Sequence, residues 1–450
     1  MPTDAIARYH DLLASGSVAA DSQAALDDHQ DRRGLHFGTR PLCGVLRPRF
    51  LTLAQYRFLQ RNVETLLPAF NTVYQKALAD TDFRRQFRLL DWENDLLGID
   101  PGFKCPYPSA RFDSFYVSDE ELKFTEFNTE TPAGAGYSDA LTQVFQALPA
   151  FREFACHYHA FPVPCVPGVT HALLDAFSQW QGNRTEKPRI AILDWREVPT
   201  FSEFVLFFDE FRSLGIDVRI VDPREVEYVN GKLMCGDYHI NLIYKRVLIT
   251  ELIERGGVDH PVIRAIRDGN VCMANTFRCK ILYKKASFAV VSDERNANLF
   301  TATQQHAIAA QIPWTRVVEE RKTVIDGAAI DLVPFIMANK DRLVLKPNDD
   351  YGGKGIVLGW TVPQLAWEAA VEGALAEPFV VQQKIRLPKE PFPSLEGGTL
   401  QVVDRMLDTN PYVAFGTTVH GCLTRISTDE LVNVTAGGGS TVPTFLLEAR

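Results

Sequence analysis

The sequence predicts an α/β (α+β) fold: a helical N-terminal region, a small doubly wound unit around a parallel sheet, and antiparallel strands toward the C-terminus. Three observations carry this expectation. Residues 188–245 alternate strand, helix and strand. A buried strand, Leu343-Val344-Leu345, runs into a glycine-rich loop and returns as Ile356–Leu358. Short strand-like runs joined by turn residues lie at 110–127 and again beyond residue 399.

In order along the chain, residues 1–100 read as mostly helical. MPTDAIARYHDLLASG has acidic groups and no long apolar core, so it reads as an amphipathic helix and not as a secretion signal. Phe58, Val63, Leu66, Leu67 and Phe70 recur at helical spacing, which predicts a packing helix with no chemistry of its own. Ala110–Val117 and Leu122–Phe127, joined by Ser118-Asp119-Glu120, form a β-hairpin pattern, with a helix from about Ser138. Arg189–Leu193 is a buried strand, Phe201–Leu214 a helix, Asp217–Val221 a strand, and Tyr228–Leu233 holds an Asn-Gly hairpin turn. Ile240–Tyr244 closes that unit. Lys280, Lys284 and Lys285 share one helical stretch, and Pro363–Gly373 is a helix. Phe379–Lys384, Thr399–Met406, Val413–Thr418, Cys422–Ile426 and Leu431–Val434 read as strands, and the proline-rich PKEPFPS at 388–394 as a surface loop.

Composition narrows the function classes. Apolar residues make up 46% of the 450, charged residues 23% and aromatic residues 11%, which is ordinary globular usage, and the length fits two or three domains or one large composite catalytic unit. The net charge of −9 argues against a dedicated nucleic-acid binder, because phosphate neutralisation needs a basic face. No apolar run approaches the roughly 20 residues that span a bilayer. Eight scattered cysteines without a C-x-x-C point to reduced thiols and a cytoplasmic protein.

Two constellations carry chemistry. The first is the run from Leu343 to Ile356, in which a buried strand delivers Lys346 to a loop holding Gly352, Gly353 and Gly355. Glycine N–H groups approach phosphate oxygens closely, and the lysine adds a point charge. The run matches neither a P-loop nor a dinucleotide fingerprint, and a plain glycine turn accounts for the glycines though not for the lysine. The second is Arg111-Phe-Asp113 with Glu126-Phe-Asn128. Residues two apart on a strand share a face, so Arg111, Asp113, Glu126 and Asn128 line one side of the hairpin. Asp113, Glu126 and Asn128 supply the hard oxygens that suit Mg2+; a solvated, ion-paired hairpin face has the same pattern. Ala436–Ser440 is a further glycine turn, either a phosphate nest or a loop. His157 and His159 lack a carboxylate at ligand spacing.

Together these segments resemble the circularly permuted ATP-grasp family, of the glutathionylspermidine synthase-like kind. That group carries an R-x-D strand and an E-x-N-x-[D/E]-T-P strand, here Arg111-Phe112-Asp113 and Glu126-Phe127-Asn128-Thr129-Glu130-Thr131-Pro132. Both precede the lysine strand and its loop, which is the permuted order. Phe277-Arg-Cys-Lys280-Ile-Leu resembles the segment with the first ATP-binding lysine, and Val380-Val-Gln382-Gln383 the strand that ends in the adenine hinge. The resemblance covers residues 105–450 and shows no counterpart of the amidase domain found in some members.

The resemblance implies an ADP-forming ligase that joins a small-molecule or peptide carboxylate to an amine through an acyl phosphate. Lys280 and Lys346 would neutralise phosphate charge. Asp113, Glu126 and Asn128 would hold Mg2+, and Arg111 would stabilise the transferring phosphoryl group. Gly352, Gly353 and Gly355 would close over ATP, with Gln382 and Gln383 at its base. The unit at 188–245 would wall the acceptor site, with Arg246 either a carboxylate clamp or a structural ion-pair partner. A nucleotide-binding module without catalysis, acting as sensor or scaffold, is the alternative. The expected division is a helical region at 1–104, a permuted ATP-grasp segment at 105–187, a small α/β domain at 188–275 and a nucleotide-binding region at 276–450.

Overall fold

The computed structural model describes residues 3–349, 352–429 and 439–449. The first hundred residues are helical in the main, with helices at Thr3–Leu13, Val18–Arg33 and Leu53–Ala79. Thr52 caps the last of these in a reciprocal box with Gln55, which fixes where the helix starts. Its apolar stripe of Leu59, Val63, Leu66, Leu67 and Phe70 is buried. Phe70 meets Phe112 and Phe127 edge-on at 5.4 Å, so this helix backs the hairpin. The region also contains a strand: Arg49–Thr52 pairs in parallel with Thr444–Ala449.

The hairpin forms from Ser109–Ser118 and Glu121–Asn128. It is the edge of a seven-stranded sheet whose other members come from the end of the chain. The order is Lys389–Glu396, Thr399–Leu407, Thr418–Ser427, Asn410–Ala414, Ser109–Ser118 and Glu121–Asn128, with Ser440–Val442 beside Thr418–Ser427. The proline-rich segment expected as a surface loop is thus a strand. Pro391 and Pro393 share a parity, and their missing N–H groups face away from the partner strand at the sheet edge. On that outer side the Pro391 carbonyl accepts from Arg47 and the Pro393 carbonyl from the Leu46 N–H.

In the small unit the helix Phe201–Ser213 lies between two strands of one sheet. Its parallel sheet runs Cys272–Ala274, Leu242–Lys245, Arg189–Leu193 and Asp217–Val221. Glu227–Val229 and Lys232–Cys235 flank the Asn-Gly turn. A separate antiparallel sheet orders Thr315–Val317, Phe379–Gln383, Leu343–Pro347 and Val357–Leu358. The lysine stretch is two short helices and not one: Lys280–Tyr283 ends at Lys284, whose ψ of 130 breaks the turn before Ala286–Ser292. Residues 431–434 and 436–438 lie outside the described residues. Among the described residues no helix is long and apolar enough to cross a membrane.

Candidate functional site

Register puts the two sequence pairs face to face. Arg111 is opposite Asn128 and Asp113 is opposite Glu126. The other side of the same rungs is apolar: Phe112 and Phe127 stack at 3.9 Å with their planes 1° apart. That contact and Phe70 behind it fix the polar face toward the interior of the molecule.

The arginine expected at the phosphoryl group is committed elsewhere. Arg111 is buried and donates to both Asp113 oxygens, at 2.7 and 3.1 Å, and to the Ala133 carbonyl at 2.6 Å. A second arginine, not singled out from sequence, reaches the same carboxylate. Arg425 donates to Asp113 at 2.7 Å and to Asp408 at 2.6 Å, and its side chain keeps 19% of its surface exposed. Burial pushes the Asp113 carboxyl up, but the Arg111 and Arg425 guanidiniums outweigh it and hold it well below the usual carboxylate range. Glu126 is less constrained: Asn128 donates to it at 3.3 Å and Lys285 stands 3.6 Å away.

A cavity of about 430 Å³ opens between the antiparallel lysine sheet and the hairpin sheet. Lys346 projects into it from the strand Leu343–Pro347 and donates to Gln382 Oε1 at 2.7 Å. Burial lowers the Lys346 ammonium to about 8, with Lys285 pushing the same way and Glu126 and Asp113 opposing. Gly352, Gly353, Gln382 and Gln383 line the cavity, as do Asp113 and Glu126. Gly355 is not on its wall; φ there is +70° and a Cβ would lie 2.7 Å from the Pro347 ring, so only glycine fits that turn. The lining carries Lys285, Lys346, Lys354, Lys384, Lys389, Arg386 and Arg425 against Asp113, Glu126 and Asp408. An excess of cations in an acidic chain is a focused positive site. Val344, Ile356, Leu358 and Met406 give it an apolar floor.

Lys280 does not reach this cavity. Its ammonium is buried with Glu93 at 3.4 Å, Glu130 at 3.2 Å and Asp349 at 2.8 Å, and Lys284 joins Glu93 and Asp349 at 2.8 and 2.7 Å. Two cations and three carboxylates close a network at the root of the glycine loop. The lysine that faces the cavity is Lys285, which the break at Lys284 turns to the other side.

A second cavity, of about 340 Å³, adjoins the first and shares Glu126, Gly352 and Arg425 with it. Asn128 and Arg111 line this one and not the first, so the four hairpin residues straddle the boundary. The small α/β unit supplies Asp194, Val198, Thr200, Arg246 and Leu248. Arg246 is the structural partner of the two readings: it pairs with buried Glu203 at 2.9 Å and donates to the Pro132 carbonyl at 3.1 Å.

No family model matches the chain. Over 159 residues it is 27% identical to a protein of Frankia alni named "Putative glutamate--cysteine ligase 2-3", a match that takes 34% of this chain and 17% of that protein. The chain therefore aligns with less than a fifth of that relative's length. Among solved structures, the apo form of the glutathione synthetase-like effector GSS30 of Globodera pallida superposes with a TM-score of 0.60 at 12% identity. The match covers 95% of this chain and 96% of that one, so the two share a fold from end to end.

Proposed function

We propose that this protein is an ATP-dependent carboxylate–amine ligase of the ATP-grasp type, with its metal-binding hairpin placed ahead of the nucleotide-binding strands in the chain. The observation that carries this reading is the junction of two cavities at Glu126 and Arg425, the first cation-rich with an apolar floor and the second lined by the small α/β unit. A nucleotide polyphosphate fits the first: bases favour the apolar floor, and Lys346 and Lys285 match phosphate charge. The hairpin of residues 109–128 pairing with the strand Asn410–Ala414 supports the permuted order. The ligase names of the Frankia relative and the shared fold with the Globodera effector point the same way.

The donor set suits magnesium. Among the described residues no three His, Cys, Asp or Glu side chains are grouped as a closed metal cage. Magnesium keeps several waters and binds through one or two carboxylates plus substrate phosphates, so Glu126 and Asn128, with Asp113 beside them, are the kind of open site it uses. When bound, the ion supplies charge neutralisation on the phosphate oxygens. The chain's own groups do the rest. Lys346 and Lys285 orient the phosphates, and Gly352 and Gly353 line the same cavity without a Cβ to hold a phosphate off the backbone. Arg425, reaching both cavities, meets the charge that develops as a phosphoryl group passes to a carboxylate. Arg111 fixes Asp113 from behind and acts through it. Transfer of the γ-phosphoryl group to the carboxylate leaves ADP, and the acyl phosphate formed at the junction then meets a neutral amine from the second cavity, which forms the amide and releases phosphate and a proton.

An ADP-release assay against pooled amino-acid, peptide and amine substrates tests the reading. Release that needs both a carboxylate and an amine supports it. Tight ATP binding with no release from any pair would favour a nucleotide-binding module.

A further inference from the structure

Asp194 directly follows the buried strand Arg189–Leu193 and stands at the carboxyl edge of the parallel sheet. Ligand-binding groups of open α/β sheets gather at that edge. Its N–H donates to the Val221 carbonyl at 3.2 Å, and its Oδ1 accepts the Trp195 N–H at 2.8 Å. Its other oxygen has no hydrogen-bond partner among the described residues, although Asp194 is only 7% exposed. That remaining exposure is onto the second cavity.

The arginines of this cavity are each paired within the protein. Arg111 is held by Asp113, Arg246 by Glu203, and Arg425 by Asp408 and Asp113. No cation lies within ion-pair distance of Asp194 among the described residues, and Glu251 adds a second carboxylate to the same wall. A buried carboxylate without a counterion is costly, and a cationic ligand removes that cost. Phe37, Tyr137, Val198 and Leu248 make the surrounding surface apolar.

We propose that the second cavity takes a cationic molecule, an amine with an apolar body, and that the Asp194 carboxylate holds its ammonium group. The inference rests on the ligase reading only in making that molecule the acceptor. Burial pushes the empty Asp194 carboxyl up to about 7; Arg246 and Lys245 pull it down and Glu251 pushes it up. The site is therefore charged and competent on the alkaline side of neutrality.

The test uses three probes of equal length, hexylammonium, hexanol and hexanoate, titrated calorimetrically at pH 8 into the wild-type chain and Asp194→Asn. Asparagine keeps the Oδ1 acceptor for the Trp195 N–H, so the local turn is preserved. Hexylammonium should bind the wild type about tenfold or more tightly than hexanol, and Asp194→Asn should abolish that preference. Equal binding of hexylammonium and hexanol, tighter binding of hexanoate, or an unchanged preference in Asp194→Asn would overturn the proposal. ATP with Mg2+ is titrated into the same samples and reports the first cavity separately. Loss of ATP binding with amine preference intact defeats the nucleotide reading alone; the reverse defeats only the Asp194 assignment.

Discussion

Asp113 and Glu126 face each other across one hairpin rung, yet two arginines hold the first while an amide and a lysine 3.6 Å away attend the second. The pair divides the work of the site. Asp113 is a fixed anchor for Arg111 and Arg425, and Glu126 is the carboxylate with oxygen to offer. Glu126→Gln should therefore remove most of the Mg2+-dependent gain in ATP affinity and leave the melting temperature nearly unchanged. Asp113→Asn leaves Arg111 without its countercharge and Arg425 with Asp408 alone, and should cost about 3–5 kcal/mol of stability. Titration with and without Mg2+, and urea unfolding, separate the two.

Lys346→Ala removes a charge-assisted phosphate contact worth about 1.5–3 kcal/mol. ATP affinity should fall roughly tenfold or more in calorimetry. The fold should survive, since the lysine's one described bond is to Gln382 on the cavity wall.

Lys280 and Lys285 should behave as opposites. Lys280→Met leaves Glu93, Glu130 and Asp349 with one cation fewer in a buried network, and stability should drop by about 3–5 kcal/mol. Lys285→Met should weaken ATP binding with a smaller effect on unfolding. Equal loss of ATP affinity in a folded Lys280→Met variant would return that lysine to the phosphate site.

Arg425→Ala should lower turnover far more than ATP affinity, because its contact is made with charge that develops during transfer. Arginines in this role are worth about 10³–10⁵ in rate. Steady-state ADP release and ATP titration on the same variant check it, and Arg425→Lys should recover only part of the loss, since an ammonium cannot span Asp113 and Asp408 as a guanidinium fork does.

Asp194 gives a pH signature of fixed sign. Burial raises its folded carboxyl to about 7, above the roughly 3.9 of an unfolded chain. The folded state thus holds a proton that the unfolded state releases, and this contribution to stability is full below about pH 4 and lost as pH rises through 7. Asp194→Asn should match the wild type in urea unfolding at pH 4 and exceed it at pH 8 by a difference on the order of 2–4 kcal/mol. A difference independent of pH would show an ordinary carboxylate there.

Much of the site was legible because it is local. Arg111-Phe-Asp113 and Glu126-Phe-Asn128 declare a shared strand face through period two, and a short turn makes them neighbours. Lys346 and the glycines sit on one strand and its loop for the same reason. Arg425 was not legible. It comes 312 residues after Asp113, on a strand whose sequence has no motif, and reaches the carboxylate only because the sheet brings the two ends of the chain together. The exchange of Lys280 for Lys285 turns on a single ψ at Lys284, which helical periodicity across 280–285 conceals. Pro391 and Pro393 misled in the opposite sense, because proline ends strands except at an edge, and edges are decided by neighbours distant in sequence.

The sequence by itself determined the elements and the residue types: a lysine strand with its glycine loop, a hairpin with polar and aromatic faces, and a parallel α/β unit. These follow from side-chain periodicity and turn chemistry, which act over a few residues. Only the tertiary structure decided which charges are spent on one another and which remain for a ligand. Arg111 is consumed by Asp113 and Lys280 by Glu93, Glu130 and Asp349, whereas Asp194 keeps an oxygen with no partner among the described residues. Coulombic pairing depends on distance in space and on the exclusion of water, and neither is fixed until the sheets pack.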